Sequence, residues 1–230
     1  MITDVIFDFF GTLVDYSESR NLTEINTSYE YLCQLGFNID KEKYIKEFDT
    51  CFVQFEKEAI KNKSEFHMHD LGKYFFKTCF NYSINDNINK KFIRKYINDW
   101  NIKTTYYDNI YGFIKKLSKK YRLCILSNTH YPDLIYENLN RMNIINYFFK
   151  IYTSVEIGIR KPNKEIFEFV LNDLKINSIN AVFIGDNYYD DYFGSKTVKM
   201  KCYLIDKNNN YSGLVNTRLN NLFELLYYFN

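Results

Sequence analysis

Apolar positions along this chain follow two different patterns. Short, nearly continuous apolar runs occur at residues 5–10, 123–126, 149–152, 181–184 and 202–205. Runs of this length predict buried strands, and three of them end at turn-forming pairs: Gly11-Thr12, Ser127-Asn128 and Gly185-Asp186. Between the first and second run the spacing becomes helical. Tyr29, Leu32, Cys33 and Leu35 form one stripe that closes at Gly36. Tyr44, Phe48, Cys51, Phe52 and Phe55 form a second, Leu71, Tyr74, Phe75 and Cys79 a third, and Phe92, Ile93, Tyr96 and Ile97 a fourth. After Trp100 the predicted helices come singly between strands. One contains Ile110, Phe113, Ile114 and Leu117, Pro132 opens the next, a third begins near Pro162, and Leu222, Leu225 and Leu226 mark a C-terminal one.

Strands alternating with helices predict an α/β fold, a parallel sheet with helices on both faces. Residues 1–14 and 101–230 make up that core, and residues 15–100 form an all-helical insertion. Ligands of open parallel sheets bind beyond the carboxyl ends of the strands. The topology therefore brings Asp8, Ser127 and Asp186 to one edge. Two carboxylates, a hydroxyl and adjacent glycine turns suit a cation and an anionic small-molecule substrate.

Composition narrows the partners. The net charge is only +2, with Lys and acidic residues mixed along 230 residues, so no basic stripe exists for nucleic acid. The densest basic run, residues 90–95, reads as the solvated face of a helix. Five cysteines, widely spaced and without a CxxC, argue against a disulfide framework or a zinc site, and suit reduced thiols in a cytoplasmic protein. No apolar run reaches membrane-spanning length, and residues 1–4 lack the basic region of a signal peptide. The 22 Tyr and 21 Phe read as codon bias without functional content. His67-Met68-His69-Asp70 reads as the lead-in to a helix starting near Leu71, with Asp70 as cap, because further metal ligands are missing. Asp190 reads as a solvated neighbour of Asp191.

The strand ends carry a resemblance. Asp8-Phe9-Phe10-Gly11-Thr12-Leu13-Val14-Asp15, Ser127-Asn128, Lys161 before Pro162, and Gly185-Asp186 with Asp190, Asp191 and Gly194 occur in the order of the four motifs of the haloacid dehalogenase (HAD) superfamily. The chain resembles that superfamily over nearly its whole core, with the helical insertion where the family's cap domain lies. The resemblance implies a Rossmann-like core and a covalent aspartyl intermediate on Asp8. It implies Mg²⁺ held by Asp8, Asp186 and the Phe10 carbonyl, with Asp191 as a further ligand or a support behind them. Ser127 and Lys161 then join Asp8 as catalytic groups, and Gly11, Thr12, Ser127, Asn128 and Lys161 surround the substrate.

Phe10 departs from the pattern. HAD phosphatases have a second Asp there as general acid, a contribution of about 10²–10⁴-fold. Dehalogenases of the superfamily carry an aromatic residue at this place, because halide leaves without a proton, yet they lack the full acidic fourth motif present here. Phosphonate hydrolases also lack the second Asp, but rely on a cap lysine that this sequence does not reveal. His130, close after Ser127, is a candidate replacement acid, set against an ordinary surface histidine. Three readings follow: a Mg²⁺-dependent hydrolase of a small phosphorylated metabolite, a 2-haloacid dehalogenase, and a catalytically impaired binding protein on the same scaffold.

Overall fold

The computed structural model describes residues 1–16 and 25–229. The expected beginning of the helical stretch, from about residue 17, lies outside the described residues. Two compact units divide the chain: Met1–Asp15 with Thr105–Asn230, and Tyr16–Thr104. In chain order the first unit begins with β1 (Asp4–Phe7) and β2 (Val14–Asp15). The second unit holds α1 (Thr27–Gln34), α2 (Lys41–Asn62), α3 (Met68–Phe80) and α4 (Asp86–Trp100). The first unit resumes with β3 (Thr105–Tyr106), α5 (Ile110–Ser118), β4 (Arg122–Ser127), α6 (Asp133–Arg141), β5 (Phe148–Thr153), α7 (Ser154–Ile157) and α8 (Lys164–Leu174). It closes with β6 (Ala181–Gly185), a π-type turn at Tyr188–Phe193, α9 (Gly194–Lys196), β7 (Lys201–Ile205), β8 (Arg218–Leu219) and α10 (Leu225–Tyr228).

The α/β unit is built on a six-stranded parallel sheet in the order β5-β4-β1-β6-β7-β8. Its central strands β1, β4 and β6 are buried and largely apolar on both sides because helices cover both faces. Side chains alternate between the faces. Val5, Phe7, Ile125 and Val182 join Ile114, Leu117 and Ile135 in one core cluster, while Ile6, Cys124, Leu126 and Phe183 join Ile166, Phe167 and Val170 in the other. β1 is central, with Phe7 opposite both Ile125 and Ile184. This register aligns the carboxyl ends of β1, β4 and β6.

The structure corrects the strand pattern at several points. β1 stops at Phe7 instead of running to Phe10, because the chain turns back on the Phe9 carbonyl. Lys201–Ile205 is not the last strand, since β8 pairs with it. The antiparallel pair β2–β3 and the single-turn α7 were also unforeseen. Elements of two to four residues are too short to show a period.

The helical unit buries rings. Tyr44, Phe48, Phe75, Phe76 and Phe92 are fully buried, with ring centroids 5.1 Å apart for Phe48–Phe75 and 5.0 Å for Phe76–Phe92. Such pairs contribute about 0.5–1.5 kcal/mol each beyond burial of their area. The aromatic excess is therefore structural content and not codon bias alone. Cys33, placed by spacing on the apolar stripe of α1, is exposed. α3 starts at Met68, and His67 caps it, its Nδ1 accepting the His69 N–H at 3.1 Å; Asp70 lies within the first turn. The start of α1 is held by Asp99 of α4. Its two oxygens accept the N–H and hydroxyl of Thr27 (3.1 and 2.7 Å) and of Ser28 (2.9 and 2.8 Å). Among the described residues, no helix is long and apolar enough to cross a membrane.

Candidate active site

Asp8 directly follows β1 and still donates its N–H to the Ile184 carbonyl at 2.8 Å. The chain then leaves the sheet in a tight turn. Leu13 donates to the Phe9 carbonyl at 2.9 Å, and Gly11 donates to the Val14 carbonyl at 3.0 Å. Gly11 has φ +83°, in the left-handed region, and a Cβ on it would fall on the Asp186 carboxylate. The turn buries Thr12, whose hydroxyl lies 3.3 Å from both Asp8 Oδ2 and Asp186 Oδ1.

Asp186 follows β6, and Asp191 lies within the π-type turn beyond it. That geometry is rare and concentrated at functional sites. Here Tyr192 donates its N–H to the Asn187 carbonyl at 3.2 Å. Asn187 also caps the turn: its Oδ1 accepts the N–H groups of Tyr189 and Asp190, both at 2.9 Å. Its own N–H donates to Asp191 Oδ2 at 2.9 Å. The turn sends neighbouring carboxylates to different partners. Asp191 is buried, whereas Asp190 faces Asn128, whose Nδ2 lies 3.4 Å from Asp190 Oδ2.

Lys161 comes from the segment between α7 and α8 and is joined to Pro162 by a cis peptide bond. Its Nζ donates to Asp8 Oδ1 at 2.8 Å and to Asp191 Oδ1 at 2.5 Å, with only 2% of the side chain exposed. Burial alone would push this ammonium down, but the carboxylates of Asp191 and Asp8 outweigh it and hold it above the ordinary lysine range. One ammonium cannot balance three carboxylates. Loss of water raises the Asp191 carboxyl to about 7, with Asp8 adding to the effect and Lys161 opposing it. Asp186 keeps an exposed side, but dehydration on its inner side, followed by repulsion from Asp8 and Asp191, pushes it up to about 8.

Oxygen atoms of Asp8, Asp186 and Asp191 lie within 4.8 Å of one another, a donor set of hard carboxylate oxygens around excess negative charge. Such a set suits a divalent cation of the Mg²⁺ type. Beside it, Asp8 is a buried carboxylate held by an ammonium on one oxygen, an arrangement able to attack an electrophilic phosphorus or carbon.

The profile of the haloacid dehalogenase-like hydrolases matches residues 5–205. The chain belongs to this family. Among HAD relatives, the glyceraldehyde 3-phosphate phosphatase of Pyrococcus abyssi is 26% identical over 206 residues, covering 87% of this chain and 80% of the relative. A 2-haloacid dehalogenase from Pseudomonas syringae superposes with a TM-score of 0.75 at 16% identity, over 99% of this chain and 97% of its own. A Bacillus subtilis structure described as a HAD-hydrolase bound to magnesium gives a TM-score of 0.65 at 16% identity, covering 99% and 98%. At such identities these two structures speak for the HAD fold alone.

Among the residues singled out by sequence, the structure brings Asp8, Thr12, Lys161, Asp186 and Asp191 together, with Gly11 packed on Asp186. Ser127 is the buried last residue of β4, and its hydroxyl lies 3.5 Å from the Asn128 carbonyl. The Asn128 amide is bonded to the main chain of Lys161. The Phe10 ring is half-buried, edge-on to Phe9 at 5.0 Å and packed on the apolar core. His130 is half-buried in the loop before α6. Asp190 is not a solvated bystander: it is half-buried, and burial raises its carboxyl against the pull of Lys161 and Arg160. Sequence reasoning gave Asn187 no role, although an Asn directly before a helical turn is a capping signal. The fourth-motif resemblance singles out Asp191 over Asp190, and Asp191 is the one of the two that the turn buries.

Proposed function

We propose that this hydrolase is a phosphatase for a small phosphorylated metabolite, with Asp8 as nucleophile and Mg²⁺ at the acidic cluster. The observation that carries this reading is the buried Lys161 ammonium bridging Asp8 and Asp191 beside Asp186. The relative that is a glyceraldehyde 3-phosphate phosphatase supports the substrate class, and the three carboxylates with oxygens within 4.8 Å of one another support the cation. Asp8, Asp186 and the Phe10 carbonyl would hold the ion, with Asp191 supporting them from behind. When bound, it neutralises charge on the phosphoryl oxygens.

Asp8 attacks phosphorus through its carboxylate, which Lys161 holds at Oδ1 and the Thr12 hydroxyl at Oδ2. The bond to the leaving oxygen breaks, and an aspartyl phosphate forms on Asp8. Lys161 offsets charge on the nucleophile and the transferred group. Ser127 donates its hydroxyl to a phosphoryl oxygen, and the main chain at Gly11, Thr12 and Asn128 lines the same space. Water then attacks phosphorus, releases phosphate and restores the Asp8 carboxylate. The leaving alkoxide takes its proton from solvent or from His130, since Phe10 has none to give, so turnover is slow for esters with poor leaving groups. The helical unit, residues 16–104 rather than the 15–100 that the sequence pattern suggests, acts as the cap that selects the substrate.

Phe10 favours one second reading, 2-haloacid dehalogenation, in which Asp8 attacks carbon and halide leaves unprotonated. The test is turnover of glyceraldehyde 3-phosphate, a broader panel of phosphate esters and 2-haloacids, with and without Mg²⁺. Mg²⁺-dependent phosphate release is the expected result. Halide release independent of Mg²⁺ would replace it with the second reading, and neither product would point to the binding protein.

A further inference from the structure

Lys161 is the cation of the site, yet the chain that carries it belongs to no strand or helix: residues 158–163 run between α7 and α8. A long side chain on an irregular segment needs something to fix its backbone. We propose that the Asn128 side chain is that group, a positioning amide that clamps the Lys161 main chain and acts on the reaction only through Lys161. The inference rests on the hydrolase reading above.

The geometry is specific. The Lys161 N–H donates to Asn128 Oδ1 at 2.9 Å, and Asn128 Nδ2 donates to the Lys161 carbonyl at 3.0 Å. Both main-chain polar groups of one residue thus end on one side-chain amide. A carboxamide offers a donor and an acceptor in one plane, as an adjacent strand residue would, so Asn128 replaces the missing ladder partner. The reciprocal pair also fixes which amide atom is oxygen, since the flipped arrangement would set two donors and two acceptors against each other.

The remaining hydrogen-bonding capacity of the amide argues against direct substrate binding. One N–H of Nδ2 is taken by the Lys161 carbonyl, and Asp190 Oδ2, at 3.4 Å, lies on the same nitrogen. No N–H is left over for a phosphoryl oxygen. Asn128 directly follows β4, and β4 is registered on β1 through Ile125 opposite Phe7. A closed circuit results: β1 sets Asp8, β4 sets Asn128, Asn128 sets the Lys161 backbone, and the Lys161 Nζ returns to Asp8. Displacements of about 1 Å in such a constellation cost about 10²-fold in rate.

Two measurements test the clamp, one of them independent of activity. Hydrogen exchange of the peptide spanning residues 159–163 should quicken about tenfold or more in Asn128→Ala, because the Lys161 N–H loses its acceptor. Asn128→Asp keeps that acceptor but loses the donor, so exchange should stay near wild type while turnover still falls. This variant also serves if Asn128→Ala folds poorly. The second measurement is a double-mutant cycle on p-nitrophenyl phosphate, whose leaving group needs no proton. Asn128→Ala should lower kcat/KM about 10- to 100-fold in the wild type, and hardly at all in Lys161→Ala, where no ammonium remains to be placed. Equal losses in both backgrounds, or unchanged exchange at Lys161, would overturn the proposal. A wild type inactive on every ester would remove the hydrolase reading, and exchange alone would then decide whether the clamp exists.

Discussion

Asp99 in the helical unit and the acidic cluster in the α/β unit treat buried charge in opposite ways, although Asp206 of the α/β unit is as fully paired as Asp99. In the helical unit, among the described residues, the one buried carboxylate is Asp99, and four donors from Thr27 and Ser28 saturate its oxygens. In the α/β unit, Asp8 and Asp191 share the single buried ammonium of Lys161, and Asp186 crowds against them. The first arrangement is complete, and it ties α4 to α1. The second is incomplete, and its surplus negative charge raises Asp186 and Asp191 into the neutral range. Buried polar groups are normally fully paired, so a deliberate deficit marks a place for a ligand.

Asp8→Asn makes the sharpest test of this contrast. It should reduce hydrolysis by about 10⁴- to 10⁶-fold, the scale set by loss of a nucleophile, while the protein stays folded. Residual turnover within tenfold of wild type would remove Asp8 from its role. The helical counterpart is Asp99→Ala. It strands the N–H groups that open α1, and should cost about 2–4 kcal/mol in urea denaturation. A loss below about 0.5 kcal/mol would show that the cap is not what holds α1 to α4.

Phe10→Asp comes next. A carboxyl at this position should raise turnover of phosphate esters by up to about 10²-fold, the low end of acid–base contributions, because no supporting partners surround it. No gain in a variant of unchanged stability would indicate that the proton already comes from elsewhere, with His130 the group to examine.

The smallest effect concerns pH. Raised carboxyl pKa values mean that the folded, cation-free protein holds protons more tightly than the unfolded chain does. This contribution to stability is full below the ordinary carboxylate range and disappears as pH rises through about 7 to 8. Mg²⁺ competes with those same protons, so its affinity should weaken about tenfold or more between pH 8.5 and 6.5. Calorimetric titration at the two pH values measures this. A pH-independent affinity would place the ion elsewhere, and Asp186→Ala should abolish the Mg²⁺-linked rise in melting temperature.

The sequence made the α/β alternation legible because the central strands β1, β4 and β6 are short, nearly continuous apolar runs buried on both faces. It also showed which acids belong at the strand ends, since the order of strands and turns determines which residues share an edge. What it hid is local. The pairs β2–β3 and β8 are two residues long, too short for any period to register. His67 was passed over as a cap in favour of Asp70, because imidazole is a less usual capping group than a carboxylate. The motif order places Asn128 beside the substrate, but the engagement of its amide with the Lys161 main chain joins residues 33 apart and leaves no local sequence signal.

One consequence of the glycines remains. A Cβ on Gly11 would coincide with the carboxylate of Asp186, and one on Gly185 with that of Asp191. Each acid thus lies directly on bare main chain, with no intervening side chain whose size could drift. At these two positions even a methyl group displaces an acid. The placement of both acids therefore depends on two residues that have no side chain at all, and substitution of either is a substitution at the acidic cluster itself.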